Sequence, residues 1–265
     1  MAAQLVSMSE IMRVGQWSLR ALGHPFGTAE RASRLLTWTQ AALGHGLDLL
    51  RIGETQLAAS NRLPPARRTG DGIAGRRIEA GGRNLFELGP PAVDLATCDA
   101  RLYGLGDVVV DGAIGAVLVP SLADLAARRG LNALFVWRAT SNDIPLEGYS
   151  NAGWVAVVQS SVEPAFFRGA LDRLEDAAAR FAPDILSRAM HFAENTAPGR
   201  LGIFVGDLSE DSRAPTRATA DFTQRIAKAY RTGIEVQSED LAHLYALERI
   251  TWAPTSERSR KQAGY

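Results

Sequence analysis

Pro90-Pro91-Ala92-Val93-Asp94-Leu95-Ala96-Thr97-Cys98 sets one acid among apolar and small residues, with a threonine three positions further on. Entered through two prolines, the run Ala-Val-Asp-Leu-Ala reads as a short buried strand. An aspartate inside such a run is costly to bury unless it is paired or hydrogen-bonded. Asp94 is therefore either a structural carboxylate capping the following turn or an acid at the bottom of a site, facing a histidine. On this reading the middle of the chain is a sheet, and the rest is arranged around it.

Strand signals continue beyond it. Asp107 to Asp111 is β-rich, and Asp111-Gly112 marks a turn. Ile114 to Val119 reads as a further β run, Ser121 as the cap of a short helix, and Ala133–Trp137, Trp154–Gln159 and Gly202–Val205 as strands. A helical region is expected from Pro164 through Phe181, restarting at Pro183.

The flanks are helical. Ser7-Met8-Ser9-Glu10 fits a capping box. Thr28 is a plausible N-cap for a second helix, with Ala32, Leu35, Leu36, Thr39 and Leu43 as its stripe. Trp38 lies off that stripe, toward another layer or another subunit, and like Trp17 on the first helix it is a large aromatic that its helix's core stripe does not need, of the kind enriched in interfaces. At the C-terminal end, Phe222 to Tyr230 and Ser238 to Glu248 form a helical pair. Between flank and centre, residues 61–82 hold two adjacent prolines, five arginines and five glycines, which suits a loop or β-ribbon. The pattern predicts an α/β (α+β) chain with a central mixed or antiparallel sheet and the N- and C-terminal helices packed together on it. We expect one domain over 1–265, with helical parts at 5–58 and 218–250 and the sheet core at about 84–210.

Composition removes several classes. The formal net charge is zero, which gives no electrostatic case for nucleic acid or an anionic membrane. The single cysteine, Cys98, rules out an intrachain disulfide and a cysteine-rich metal site. His24, His45, His191 and His243 show no metal-ligand spacing, so no metal is expected. His24 reads as an exposed loop histidine and His191 as a partly buried structural one. No signal segment and no long apolar run are visible, so a cytoplasmic protein is expected. No G-x-G-x-x-G, Walker A, H-E-x-x-H or G-x-S-x-G motif occurs.

Leu43-Gly44-His45-Gly46 breaks the second helix. Glycine on both sides lets the backbone turn sharply and approach a ligand. The same pattern also describes a glycine helix cap with an incidental histidine.

The Gly-His-Gly break, the Ala-Val-Asp-Leu-Ala-Thr stretch and the closing Thr232-Gly233-Ile234-Glu235-Val236, in that order, resemble the malate/L-lactate/L-sulfolactate dehydrogenase family. That family consists of non-Rossmann NAD(P)-dependent oxidoreductases and includes cyclic-imine reductases. The chain looks like a shortened bacterial relative. It departs from the family at Gly44 and Cys98, where serines are usual, and the family's later cofactor loop is not recognisable. The resemblance implies NADH or NADPH as cofactor, a small 2-oxo acid or cyclic imine as substrate, and a homodimer. It implies His45 as proton donor, tuned by Asp94, with Thr97 and Cys98 binding the cofactor. Two other functions fit the same residues: a dehydratase or tautomerase using the His/Asp pair without nicotinamide, and a non-catalytic small-molecule-binding or partner-subunit paralogue. If the family chemistry holds, His45 and Asp94 should lie within about 2.6–3.2 Å of each other or share one water.

Overall fold

The structure, a computed structural model, describes residues 3–50, 67–69, 75–138, 154–159, 162–168, 174, 181–195, 197, 199–207 and 222–251. Its strands are β1 (Ala3–Val6), β2 (Arg67–Thr69), β3 (Arg76–Glu79), β4 (Leu105–Asp111), β5 (Ala133–Arg138), β6 (Trp154–Gln159), β7 (Val162–Arg168), β8 (Arg200–Gly206) and β9 (Ile234–Gln237). Its helices are α1 (Met8–Ala21), α2 (Phe26–Leu43), α3 (Leu85–Tyr103), α4 (Val119–Arg128), α5 (Pro183–Asn195), α6 (Thr223–Thr232) and α7 (Ser238–Ile250). A further helical stretch begins at residue 46.

Seven strands form one mixed sheet in the order β2-β3-β4-β8-β5-β6-β7. Only β3 and β4 run parallel, joined by α3 as a crossover; the remaining neighbours are antiparallel. Period-two alternation sorts the side chains between the two faces. Ala133, Phe135, Trp137, Leu201, Ile203 and Val205 enter the larger core with α3 and α4, while Leu134, Val136 and Phe204 meet Phe181 and α5 on the other face. The expected mixed sheet is present, and the N- and C-terminal helices pack together through α1 against α7 and α2 against α6. A two-stranded antiparallel ribbon of β1 and β9 ties the same two ends of the chain.

The central expectation at Pro90–Cys98 is corrected. This run is the middle of α3, with both prolines inside the helix. Extended to residues 85–103, the buried positions Leu85, Leu88, Ala92, Ala96 and Asp99 fall at helical spacing. Two prolines remove two backbone donors, so the helix interior forgoes two hydrogen bonds. Burial of that stripe outweighs the loss, and Asn84 caps the start by accepting a 3.1 Å hydrogen bond from the Phe86 amide. Helix and sheet meet closely: a Cβ on Gly106 of β4 would sit 1.9 Å from the Ala96 carbonyl oxygen.

Other expectations shift for local reasons. Ile114 makes an isolated bridge and residues 116–118 form a 3₁₀ turn, so no strand runs to Val119. Ser121 lies inside α4 and donates back to the Leu118 carbonyl at 2.7 Å. Helix α2 starts at Phe26, ahead of Thr28. Pro164 sits in β7, and most of the helix expected after it lies outside the described residues. Ser7 caps α1 through the Glu10 amide at 3.1 Å, but the Glu10 carboxylate is taken by the Tyr245 hydroxyl of α7. Trp38 is buried, edge-on to Phe222. His24 is buried against Phe86, and His191 is exposed.

Candidate functional site

Helix α2 ends at Gly44, whose φ of 80° is the left-handed cap that ends many helices. The chain then doubles back so tightly that a Cβ on Gly46 would lie 2.0 Å from the Leu36 carbonyl oxygen. The Gln40 side chain secures the return by accepting from the Leu47 amide at 3.0 Å. This corner projects His45 from the end of α2. Its Nδ1 lies 2.9 Å from Oδ2 of Asp48, one turn further on. With Asp48 ionised, Nδ1–H donates to the carboxylate and the proton-accepting lone pair sits on Nε2. Nε2 has no hydrogen-bond partner among the described residues.

His45 and Asp48 line a cleft of about 690 Å³ between the α2 corner, α6 and the β1–β9 ribbon. Arg225 and Lys228 enter it from α6, at a spacing that places both on one helix face. Arg225 donates through Nη1 to the Ala42 carbonyl at 2.8 Å, which satisfies an orphan acceptor at the end of α2. Glu235 enters from β9, where Ile234 and Val236 face the core and the alternate residues face outward. The polar wall can hold a small charged molecule while the His45–Asp48 pair moves a proton. A second cavity of about 260 Å³ lies among Met8, Met12, Leu35 and Trp38, away from this pair.

The other expected site residues lie elsewhere. Asp94 is on α3, where it accepts a 2.7 Å hydrogen bond from Arg31 of α2 and pairs also with Arg129 beyond α4. Its acid is thus satisfied by two guanidiniums joining three helical segments. The expected contact between His45 and Asp94 does not form: each is bonded to a different partner, because residue 94 stands on a helix and not at a strand end. Thr97 is buried and donates to the Val93 carbonyl at 2.6 Å, within its own helix. Cys98 is exposed. No group of three or more metal-ligating side chains occurs among the described residues.

Sequence inspection missed Asp48, Arg225, Lys228 and Glu235 as site residues. The His-x-x-Asp spacing at 45–48 was visible, since residues three apart on a helical turn are neighbours. Nothing local marks α6 or β9 as the opposite wall, because only tertiary packing carries them there.

Burial shapes several ionisable groups away from the cleft. Asp107 on β4 has its carboxyl pushed above the usual carboxylate range by desolvation, against a 3.1 Å hydrogen bond from Arg188. Burial also acts to raise Asp111, but hydrogen bonds from Arg200 and Arg77 outweigh it and hold that carboxyl low. Desolvation lowers His24 below its ordinary value, with the nearby Glu87 opposing.

No protein-family model matches the sequence, and no curated protein matches it. Solved structures do. Malate dehydrogenase from Pyrococcus horikoshii OT3 superposes with a TM-score of 0.66 at 14% identity, covering 95% of this chain and 97% of that one. A dehydrogenase from Sinorhizobium meliloti gives 0.65 at 18% identity, covering 93% and 100%. Delta1-piperideine-2-carboxylate reductase from Pseudomonas syringae pvar. tomato gives 0.61 at 14% identity, covering 92% and 99%. No described helix is long and apolar enough to cross a membrane. At these identities the likeness carries the architecture and not the chemistry: this chain has the fold of the malate and sulfolactate dehydrogenases and of the reductases built like them.

Proposed function

We propose that the chain is a reductase or dehydrogenase of small 2-oxo acids or cyclic imines, with His45 as the proton donor and Asp48, in place of Asp94, as the residue that positions it. The observation that carries this is the His45 Nδ1 to Asp48 Oδ2 hydrogen bond of 2.9 Å at the wall of a cleft holding two cations. In the imidazolium form Nε2–H gives a proton to the oxygen or nitrogen formed on reduction, and in the reverse direction the Nε2 lone pair takes one back. Lys228, with Arg225 beside it, is placed to hold the substrate carboxylate.

The fold points to NADH or NADPH as the hydride source. The two residues expected to meet it stand on α3, outside the lining of this cleft: Thr97 donates its hydroxyl to the Val93 carbonyl, and Cys98 is exposed. What the described residues supply is the proton half of the reduction and the seat for a small acid. We further propose a homodimer. Trp38 is buried within the chain, which leaves Trp17 and Phe26, in edge-to-face contact and exposed, as the aromatic patch for it.

Purified protein should quench or shift NADH or NADPH fluorescence and oxidise one of them in the presence of a 2-oxo acid or cyclic imine. His45→Gln should lower kcat by about 100- to 10,000-fold while leaving cofactor affinity unchanged. Absence of binding to either nucleotide would overturn the redox reading. A dehydratase or tautomerase using the same pair would then account for a His45-dependent activity.

A further inference from the structure

The cavity of about 260 Å³ lies among α1, α2, α4 and α6, apart from the His45 cleft. Met8 and Met12 of α1, Leu35 of α2 and Leu125 of α4 give it an apolar lining. Thr37 of α2 also lines it and is only 2% exposed, and its buried hydroxyl has no hydrogen-bond partner among the described residues. Buried hydroxyls in folded proteins are satisfied by protein, water or ligand in the large majority of cases. Ser121 of α4 adds a second buried hydroxyl to the lining; it donates to the Leu118 carbonyl and keeps its oxygen as an acceptor. The rim differs from this floor. Arg34 and Arg128 line it and are exposed. Arg34 pairs with Glu30 through Nη2 at 2.7 Å, and Arg128 pairs with Asp124 through Nε at 2.6 Å and reaches the Tyr230 hydroxyl of α6. Exposed pairs one turn apart are weak, and a guanidinium has five N–H donors, so both arginines keep donors for a carboxylate.

A buried polar atom at the floor, an apolar middle and cations at the rim describe the ends of one kind of molecule. An alkyl acid would leave the Thr37 hydroxyl unmet, and a neutral phenol would leave the arginines unused. We propose that this cavity is a second ligand site, for a small aromatic carboxylic acid with one hydroxyl or ring N–H at the end away from its carboxylate. The ring lies among Met8, Met12 and Leu125, the distal polar group meets Thr37, and the carboxylate meets Arg34 and Arg128. Methionine side chains adapt their shape to such rings. The volume, about 260 Å³, falls just below the roughly 300–1,000 Å³ of drug-sized pockets, which suits an occupant with little more than one ring system. The ligand needs no reducible group, so this is an effector site and stands whether or not the His45 cleft performs a reduction. The two share α6 as a wall: Arg225 and Lys228 line the cleft, and Tyr230 lines the cavity.

Three probes differing at one end each test it on the purified full chain, by calorimetry or ligand-observed NMR: 4-hydroxyphenylacetate, phenylacetate, which lacks the hydroxyl, and 2-(4-hydroxyphenyl)ethanol, which lacks the charge. The first should bind about fivefold or more tightly than either of the others. Thr37→Val keeps the shape, removes no hydrogen bond, and should abolish the gain over phenylacetate. The double variant Arg34→Gln, Arg128→Gln should abolish the gain over the alcohol. Leu125→Trp, which fills the cavity, should abolish binding of all three, and circular dichroism verifies that each variant is folded. Lys228→Gln, in the other cleft, should change none of these affinities. Equal binding of the three probes overturns the proposal, as does a preference that survives Thr37→Val and the double arginine variant. Loss of binding in Lys228→Gln overturns it by placing the acid in the His45 cleft, and absence of 4-hydroxyphenylacetate binding at tens of millimolar overturns it outright.

Discussion

A carboxylate 2.9 Å from an imidazole nitrogen fixes which face of the ring does chemistry. Asp48→Asn keeps the shape but removes the charge that stabilises the protonated ring. It should lower kcat with little change in KM. Steady-state kinetics of the two proteins check this. Asp94→Asn is the control. Asp94 is 38% exposed and serves two arginines, so its loss should cost about 1 kcal/mol of stability and leave kcat unmoved. A kcat that falls with Asp94→Asn and not with Asp48→Asn would restore the pairing expected from the sequence.

His24 contributes a pH dependence of its own. Its folded-state pKa lies below the ordinary 6.5 because burial disfavours the charged ring. Between that depressed value and 6.5 the unfolded chain binds a proton that the folded chain resists. Stability therefore falls as pH drops through and below 6.5. His24→Leu should flatten the fall in Tm between neutral and mildly acidic pH, as thermal melts across that range would record. Asp107 works in the opposite sense. Its folded pKa is raised, so the cost of burying its carboxylate is absent below the ordinary 3.8 and grows as pH rises through the folded value.

At the scale of elements, local signals were legible where one face of a regular element is buried. The strands at Asp107–Asp111, Ala133–Trp137 and Gly202–Val205 and the helices at both ends were readable because alternation or a 3.6-residue stripe survives in the sequence. Helix α3 was not. A nine-residue window beginning with two prolines argues against a helix interior, and only the stripe from Leu85 to Asp99 shows the helical period. The Arg76–Asp99 pair, two-pronged with Nη2 to Oδ1 at 2.6 Å, then ties α3 to β3, a link between two segments that no local pattern announces. Asp99→Ala should cost about 3–5 kcal/mol, read as a shift in denaturation midpoint, because it strips the carboxylate partner from a mostly buried guanidinium. Gly46 belongs to the same class of hidden constraint. A Cβ there meets backbone, so Gly46→Ala should destabilise by about 1–3 kcal/mol and displace His45.

For the whole molecule, the candidate site is assembled from chain ends that lie far apart in sequence, which is why one wall of it was invisible beforehand. The corner at His45 was found from its glycines, but α6 and β9 reach it only because β1 pairs with β9 from Ala3↔Gln237 to Val6↔Ile234. That pairing holds the C-terminal ribbon against the end of α2. Gln4 adds a 3.1 Å hydrogen bond to the Ser238 hydroxyl, and Val6 is buried in the core. Leu5, 70% exposed, contributes its side chain to the cleft lining. The arm thus spends little apolar area on stability and much of its contact on positioning Glu235. Removing residues 1–6 should therefore separate the two roles. Tm should fall by a few degrees, since among the described residues of the arm only Val6 leaves the core, whereas affinity for a small acid in the cleft should fall by about tenfold or more as β9 loses its only described neighbour. Adding back residues 1–6 as a free peptide should restore part of the binding, since strand addition to an open edge needs only main-chain pairing. If the truncated protein keeps full affinity, β9 holds its place without the arm, and the link between the chain ends is structural and not functional.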